Sequence, residues 1–375
     1  MTNAKTMLLC ILLTIIKLMM EHLSEQKEFV FAEDEVQVSY LHPYPITSGT
    51  SVVESKNNNV TCIFQLPIDE YKRLLFSAKN TAHLLCNKLC VKRSALLVEP
   101  VKVAGHPQIK IIPLHGVSSE WTPILNKEPE YFDEYPGFCN SKNGPRMSEV
   151  DLNNIQNKIR YNLEDSSISY AFYGDQNDTN LFSRIVRGEE KQWRIWEDSH
   201  HVAFLTPFPN TPGFTVIVPR KHLTSDIFSL DDTDYEKLIE AAYKVSTLIK
   251  TSLSVESTCM IFEGFEIDYA HIKLIPVFNK NENKNFKEPK TEFHSKYLGY
   301  VTSLNGDLYP KDKMLKVFKQ LTKVSARSGK SGKTEKSQEI QISAKKLGDY
   351  QGNYVKFRKI REKSGKMALR LTYIT

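Results

Sequence analysis

The chain has 375 residues and a mass of 43.1 kDa, too long for one ordinary core, so two domains are expected. A composition of 41% hydrophobic and 25% charged residues excludes a wholly disordered or fibrous chain, and six cysteines at this length exclude a disulfide-built scaffold. Of the net +6, thirteen Lys/Arg against four Asp/Glu lie from Val324 onward; the body before them carries −3 and gives no reason to read it as a nucleic-acid-binding domain.

The N-terminus opens on an apolar run, Met7 to Ile16, followed by Lys17. The run is short for a membrane span and lacks a small-x-small cleavage site, so a buried helix and a cytoplasmic chain are expected. A membrane anchor or a secretion signal is the alternative.

Beyond it the chain repeats itself. Tyr40-Leu-His-Pro-Tyr-Pro-Ile-Thr-Ser-Gly49 aligns with Phe204-Leu-Thr-Pro-Phe-Pro-Asn-Thr-Pro-Gly213 at an offset of 164. At the same offset Phe64, Leu66, Tyr71, Leu74 and Ala78 meet Phe228, Leu230, Tyr235, Leu238 and Ala242. Ile109-Lys-Ile-Ile-Pro113 then meets Ile272-Lys-Leu-Ile-Pro276, and Tyr135 to Phe138 meets Tyr297 to Tyr300. Four blocks in one order predict a tandem duplication: residues 1–17 an apolar segment, 18–165 a first domain, 170–323 a second, and 324–375 a basic tail.

Each copy reads as strand, helix, strand, strand. In the second, Phe214 to Val218 is β-branched and bounded by Pro-Gly and Pro219. Tyr235, Leu238, Ile239, Ala242, Val245 and Ile249 then recur at helical spacing, with Asp231, Asp232 and Thr233 as cap or first-turn candidates. In the first copy Pro67 sits at the equivalent start, where a missing N–H costs nothing. Cys259 to Phe262 and Tyr269 to Ile275 are short strands. On the last, alternation puts Ala270, Ile272 and Leu274 on one face and Tyr269, His271 and Lys273 on the other. A phenol, an imidazole and an ammonium side by side suit an anionic ligand on an outward face. The first copy carries His106, Gln108 and Lys110 there.

These residues resemble the histidine-triad (HIT) superfamily of nucleotide hydrolases and transferases. The likeness rests on Leu181 to Glu189, Trp196-Glu-Asp198, Ala203 to His222 and Gly264 to Pro276, with a degenerate version over 18–116. It implies two α+β domains, each an antiparallel sheet of about five strands with two helices, paired as an intrachain pseudo-dimer. It also implies a nucleotide substrate, a phosphoramidate or dinucleoside polyphosphate, attacked by His271 with Lys273 and Tyr269 on the phosphate. Phe182, Ile185, Phe204, Thr206 and Pro207 would line the nucleoside site, and no metal or cofactor is called for. Tyr269 and Lys273 replace two of the family's histidines; Thr206 stands at its ribose-binding acid, and about Phe262 at its supporting Asn. Gln108 at the nucleophile position makes the first copy silent. A non-catalytic nucleotide-binding or scaffold protein remains the second reading.

His222 and Lys221 read as surface residues, His200-His201 as a loop pair, and Cys86 and Cys90 as inert thiols. Gly329 to Thr334 lacks the first glycine of a phosphate loop and reads as linker. Tyr354 to Ile374 alternates basic and apolar residues, predicting a hairpin around Lys363-Ser-Gly-Lys366, suited to an anionic partner such as RNA or a membrane surface, or else a solubilising arm.

Overall fold

A computed structural model describes residues 29–57, 59–99, 107–163, 167–278 and 291–323, and the backbone of 354–361 and 367–374. The apolar run at 7–16, His106 and the linker at 324–337 lie outside the described residues. In chain order the elements are β1 (Val30–Glu33), β2 (Gln37–Leu41), β3 (Ser51–Ser55), α1 (Ile68–Leu89), β4 (Ser94–Val98), β5 (Gln108–Pro113), α2 (Glu149–Arg160) and α3 (Leu181–Arg187). They continue with β6 (Trp193–Glu197), β7 (His201–Leu205), β8 (Thr215–Pro219), α4 (Asp232–Leu253), β9 (Ser257–Phe262), β10 (Ile272–Val277) and α5 (Lys311–Thr322). Finally β11 (Tyr354–Arg361) and β12 (Met367–Ile374) pair antiparallel as a separate two-stranded sheet, Arg361 opposite Met367; the turn expected around Lys363 to Lys366 lies outside the described residues.

The sheets of the two halves are joined. Ten antiparallel strands form one sheet in the order β1-β2-β3-β5-β4-β9-β10-β8-β7-β6, which reads the same way from either edge. The seam is β4 against β9, with Leu96 opposite Phe262 and Val98 opposite Met260. Both faces are buried, so after their opening Ser94 and Ser257-Thr258 these strands run apolar rather than alternating.

On one face lie α1 and α4. Tyr71, Leu74, Leu75, Ala78, Ala82 and Leu85 of α1, and Tyr235, Leu238, Ile239, Ala242, Val245 and Ile249 of α4, are buried at helical spacing. Asp231 caps α4, its carboxylate accepting from the Asp234 N–H at 2.8 Å, while Pro67 occupies the cap position of α1. Both helices end on a left-handed residue, Cys90 and Ser254. Contacts between them come in reciprocal pairs: Lys79 Nζ donates to Leu230 O at 2.7 Å, and Tyr243 Oη donates to Leu66 O at 3.0 Å.

The opposite face is covered by α3 and by the stretches trailing each half. Here the chain crosses over. The bridge Asn140–Thr302 and the bonds Ser141 N–H to Val301 O and Ser303 N–H to Cys139 O tie the two stretches together. Residues 139–147 then lie across the second half, where Gly144 and Met147 donate to Phe208 O and Pro207 O. Gly144 has to be glycine: a Cβ there would fall 1.9 Å from Pro209 O. Residues 303–309 lie correspondingly across the first half, on Tyr44 O and Pro43 O. The helices cross too. α2 packs on β6 and α4, with Trp193 Nε1 donating to Asn153 Oδ1 at 2.8 Å, and α5 packs on α1 and β1. A cut near residue 165 therefore divides the sequence repeat without dividing the packing.

Candidate functional site

The site is assembled where β10 begins, beneath α3 and the 139–147 segment. Tyr269 and His271 precede the strand, which starts at Ile272, slightly later than expected. The expected alternation holds: Ala270, Ile272 and Leu274 face the helices, and Tyr269 faces the opposite layer. The expected outward exposure does not. Tyr269, His271 and Lys273 are 0, 2 and 4% exposed, because the crossing segment and α3 close over them. Neither the cavity beside Phe132 and Phe138 nor its counterpart beside Tyr297 and Tyr300 is lined by His271.

His271 Nδ1 lies 2.7 Å from Tyr269 O. A carbonyl only accepts, so Nδ1 carries the proton and Nε2 presents its lone pair. Nε2 has no hydrogen-bond partner among the described residues. Burial, with help from the Lys273 charge, lowers the imidazole to about 4, so the ring is neutral at physiological pH. A neutral imidazole with its tautomer fixed and Nε2 unbonded is the form a nucleophile needs.

Lys273 is held by charge. Its ammonium is 3.1 Å from Glu266 Oε2, 3.5 Å from Glu263 Oε2 and 3.3 Å from Ser141 O of the crossing segment. Burial alone would lower its pKa, but the two carboxylates outweigh it and hold the ammonium above its ordinary value. Burial pushes Glu263 up, against the pull of Lys273 and of the hydroxyl donated by Tyr297. At Glu266 burial is overcome by Lys273 and by Asn143, whose Nδ2 donates at 2.8 Å, and the carboxyl is held low. Lys273 thus reaches any phosphate already neutralised. Tyr269 is engaged as well, its hydroxyl donating to Pro219 O at 2.7 Å.

Of the residues expected at a nucleoside site, Phe182, Ile185 and Phe204 share one cluster. Phe182 meets the rings of Phe204 at 5.8 Å and His271 at 5.4 Å, and Ile185 joins the same cluster. Thr206 Oγ1 accepts from Phe208 N–H, and Pro207 O accepts from Met147 N–H. Phe262 lies on the helix side of the sheet and cannot reach the site.

His222 is not a plain surface residue. It stacks on Tyr269 (4.7 Å, 16°), and its ring nitrogens lie 2.7 Å from Asp178 Oδ2 and from Asp268 O. Asp178 also accepts from Ser183 of α3, so His222 fastens that helix beside His271. Lys221 pairs with Asp234 at 2.8 Å. His200 and His201 are organised by Asp198, and no metal-binding group of His, Cys, Asp or Glu occurs among the described residues. Glu263, Glu266, Asn143 and His222 escaped the sequence reading. Three acids within ten residues before Lys273, Glu263, Glu266 and Asp268, are the signal available for the carboxylates.

The first half carries different groups at the equivalent positions. Where the second half has Phe204, Val218 and His271, it has Tyr40, Glu54 and Gln108. These bond to one another, Tyr40 Oη to Glu54 Oε2 at 2.7 Å and Gln108 Nε2 to the same oxygen at 3.0 Å. The space for a base and a nucleophile is filled by a polar network. Lys110 is bonded to Ser303 O and Asn305 Oδ1 of the other crossing segment.

Residues 187–279 match the family model described as HIT domain, so this stretch of the chain is a HIT domain. An uncharacterized HIT-like protein of Borreliella burgdorferi is 28% identical over 114 residues, 28% of this chain and 81% of that protein. One from Saccharolobus solfataricus is 27% identical over 128 residues, 32% of this chain and 91% of that protein. Among solved structures, a HIT-like protein from Bartonella henselae is 20% identical with a TM-score of 0.25, covering 40% of this chain and 96% of its own. A uridylyltransferase mutant is 14% identical with a TM-score of 0.43, covering 77% and 90%. Among the described residues no helix is long and apolar enough to cross a membrane.

Proposed function

We propose that the chain is a duplicated HIT protein, its halves forming an intrachain pseudo-dimer, in which the second half is a nucleotide hydrolase or nucleotidyltransferase. The reading is carried by one observation, the neutral His271 whose Nδ1–H is held by Tyr269 O while Nε2 keeps its lone pair. Nε2 attacks the α-phosphorus of a nucleoside phosphoramidate or dinucleoside polyphosphate. The bond to the leaving group breaks, that group taking a proton from water, and water then cleaves the nucleotidyl-histidine. Phe182, Ile185, Phe204, Thr206 and Pro207 would seat the nucleoside; Lys273 and Tyr269 would steady the phosphate once moved from their present partners. The duplication is supported by the reciprocal helix contacts and by the sheet order.

A second reading, a nucleotide-binding or scaffold protein without turnover, is favoured by the enclosure of His271 and by the two carboxylates on Lys273. Purified protein offered adenosine phosphoramidate and diadenosine polyphosphates, with His271→Asn as control, separates the two. Covalent AMP on His271 establishes the enzyme; turnover equal to that of the variant on every substrate leaves the scaffold. For the basic hairpin we propose an anionic partner, RNA or a membrane surface, supported by its Lys/Arg content.

A further inference from the structure

The segment that closes the His271 site is also tied down covalently. Cys139, at its start, is bonded to Cys259 of β9, 120 residues away. Cys259 pairs with Ile275 in the sheet and Lys273 pairs with Ile261, so the bond stands one step along the same sheet face from the ammonium. From this anchor the segment runs on to Ser141 over Lys273, Asn143 on Glu266, and Gly144 and Met147 on Phe208 and Pro207.

The disulfide has no counterpart across the repeat. The position equivalent to Cys259 is Ala95, and the position equivalent to Cys139 is Val301. The other crossing segment meets Lys110 through Ser303 O and Asn305 Oδ1, with no disulfide there among the described residues. A bond needed only to hold a crossing segment would be equally useful on both sides. It occurs on the side that keeps the imidazole.

We propose that Cys139–Cys259 is a redox latch on the His271 site: formed, it holds residues 139–147 shut over Lys273 and Glu266 beside the imidazole, and broken by a dithiol reductant, it lets them lift. This regulation rests on reading His271 as the nucleophile. The reductant's thiolate attacks Cys139 Sγ, and the S–S electron pair leaves on Cys259, which takes a proton from water. The second thiol of the reductant then displaces Cys139 as a thiol and departs as a cyclic disulfide. Both sulfurs are buried, and Cys139 borders a small recess it shares with Phe132, Tyr135, Phe138, Asn210 and Pro276, so the reductant enters as that recess opens. Once cut, the segment keeps its hydrogen bonds, among them Asn143 to Glu266 and Asn210 to Asn140 and the backbone bonds of Ser141, Gly144 and Met147, and loses the covalent closure of a long loop.

The test uses the full chain, either oxidised with diamide or reduced with dithiothreitol and desalted. Diethyl pyrocarbonate labelling of His271, read on the isolated peptide by mass spectrometry, reports access to Nε2 without any need for turnover. The reduced protein is expected to label at least tenfold faster, with hydrogen exchange of residues 139–147 rising in parallel. Cys139→Ser and Cys259→Ser should label at the fast rate whatever the redox state. Equal labelling in both states overturns the latch, as does alkylation of both cysteines in diamide-treated protein before any reductant. A tenfold difference without trapped AMP keeps the latch and retires the nucleophile. AMP trapped equally in both states keeps the nucleophile and retires the latch.

Discussion

Tyr71 and Tyr235, 164 residues apart, each donate a hydroxyl hydrogen bond into the other's helix: Tyr71 Oη to Ile239 O at 2.9 Å and Tyr235 Oη to Leu75 O at 2.8 Å. Ile239 is itself 164 residues beyond Leu75. Both phenols are buried, so each bond satisfies a group that water cannot reach. Tyr71→Phe and Tyr235→Phe are expected to lose similar stability, about 1 kcal/mol each, read as the shift in urea midpoint. A large loss in one and none in the other would mean that the two sides are not equivalent in energy.

Lys273 gives the sharpest stability test. Lys273→Met leaves the buried Glu263 and the half-buried Glu266 without their cation, and about 3 kcal/mol is expected to be lost. Adding Glu266→Gln should recover more than half of it in urea titrations, because the stranded charge is gone. No recovery would show that the ammonium's packing, rather than its pairing, was at stake.

The buried imidazole sets a pH dependence with a definite sign. His271 is lowered to about 4 in the fold against an ordinary 6.5, so its contribution is whole above pH 6.5 and is lost as pH falls toward 4. The loss amounts to about 3 kcal/mol at most. Urea midpoints of the protein and of His271→Asn at pH 7.5 and 4.5 should show a smaller acid loss in the variant. If AMP transfer is observed, its acid limb should lie near pH 4, not near 6.5.

Restoring a histidine to the first half should not restore a site. Gln108→His would place an imidazole against the Glu54 carboxylate and the Tyr40 hydroxyl, with no room for a nucleoside. In a His271→Asn background, no AMP adduct is expected at position 108. Tyr40→Phe and Glu54→Val must be added before one is looked for.

Much of this was legible in the sequence. The offset of 164 gave the paired elements, and helical spacing gave the buried faces of α1 and α4. Strand alternation placed His271 and Lys273 on the face away from those helices. Local pattern could not show what covers that face. Ser141 meets Lys273 across 132 residues, and Asn143 meets Glu266 across 123, so neither contact leaves a periodic trace. An outward imidazole was the natural expectation for an isolated strand; a chain that crosses between its halves makes it an interior one. His222 was missed for the same reason, since Asp178, 44 residues before it, turns a surface ring into the fastening of α3.

The crossing also ties the two halves to one another. Residues 139–147 of the first half cover part of the second, and residues 303–309 of the second lie across the first. A gene truncated to the second half would encode a protein without that cover, with one edge of its sheet at the seam stripped of its partner strand. On the function proposed above, selection on the half that keeps the imidazole is thereby transmitted to the other, and the pair must be inherited as a unit.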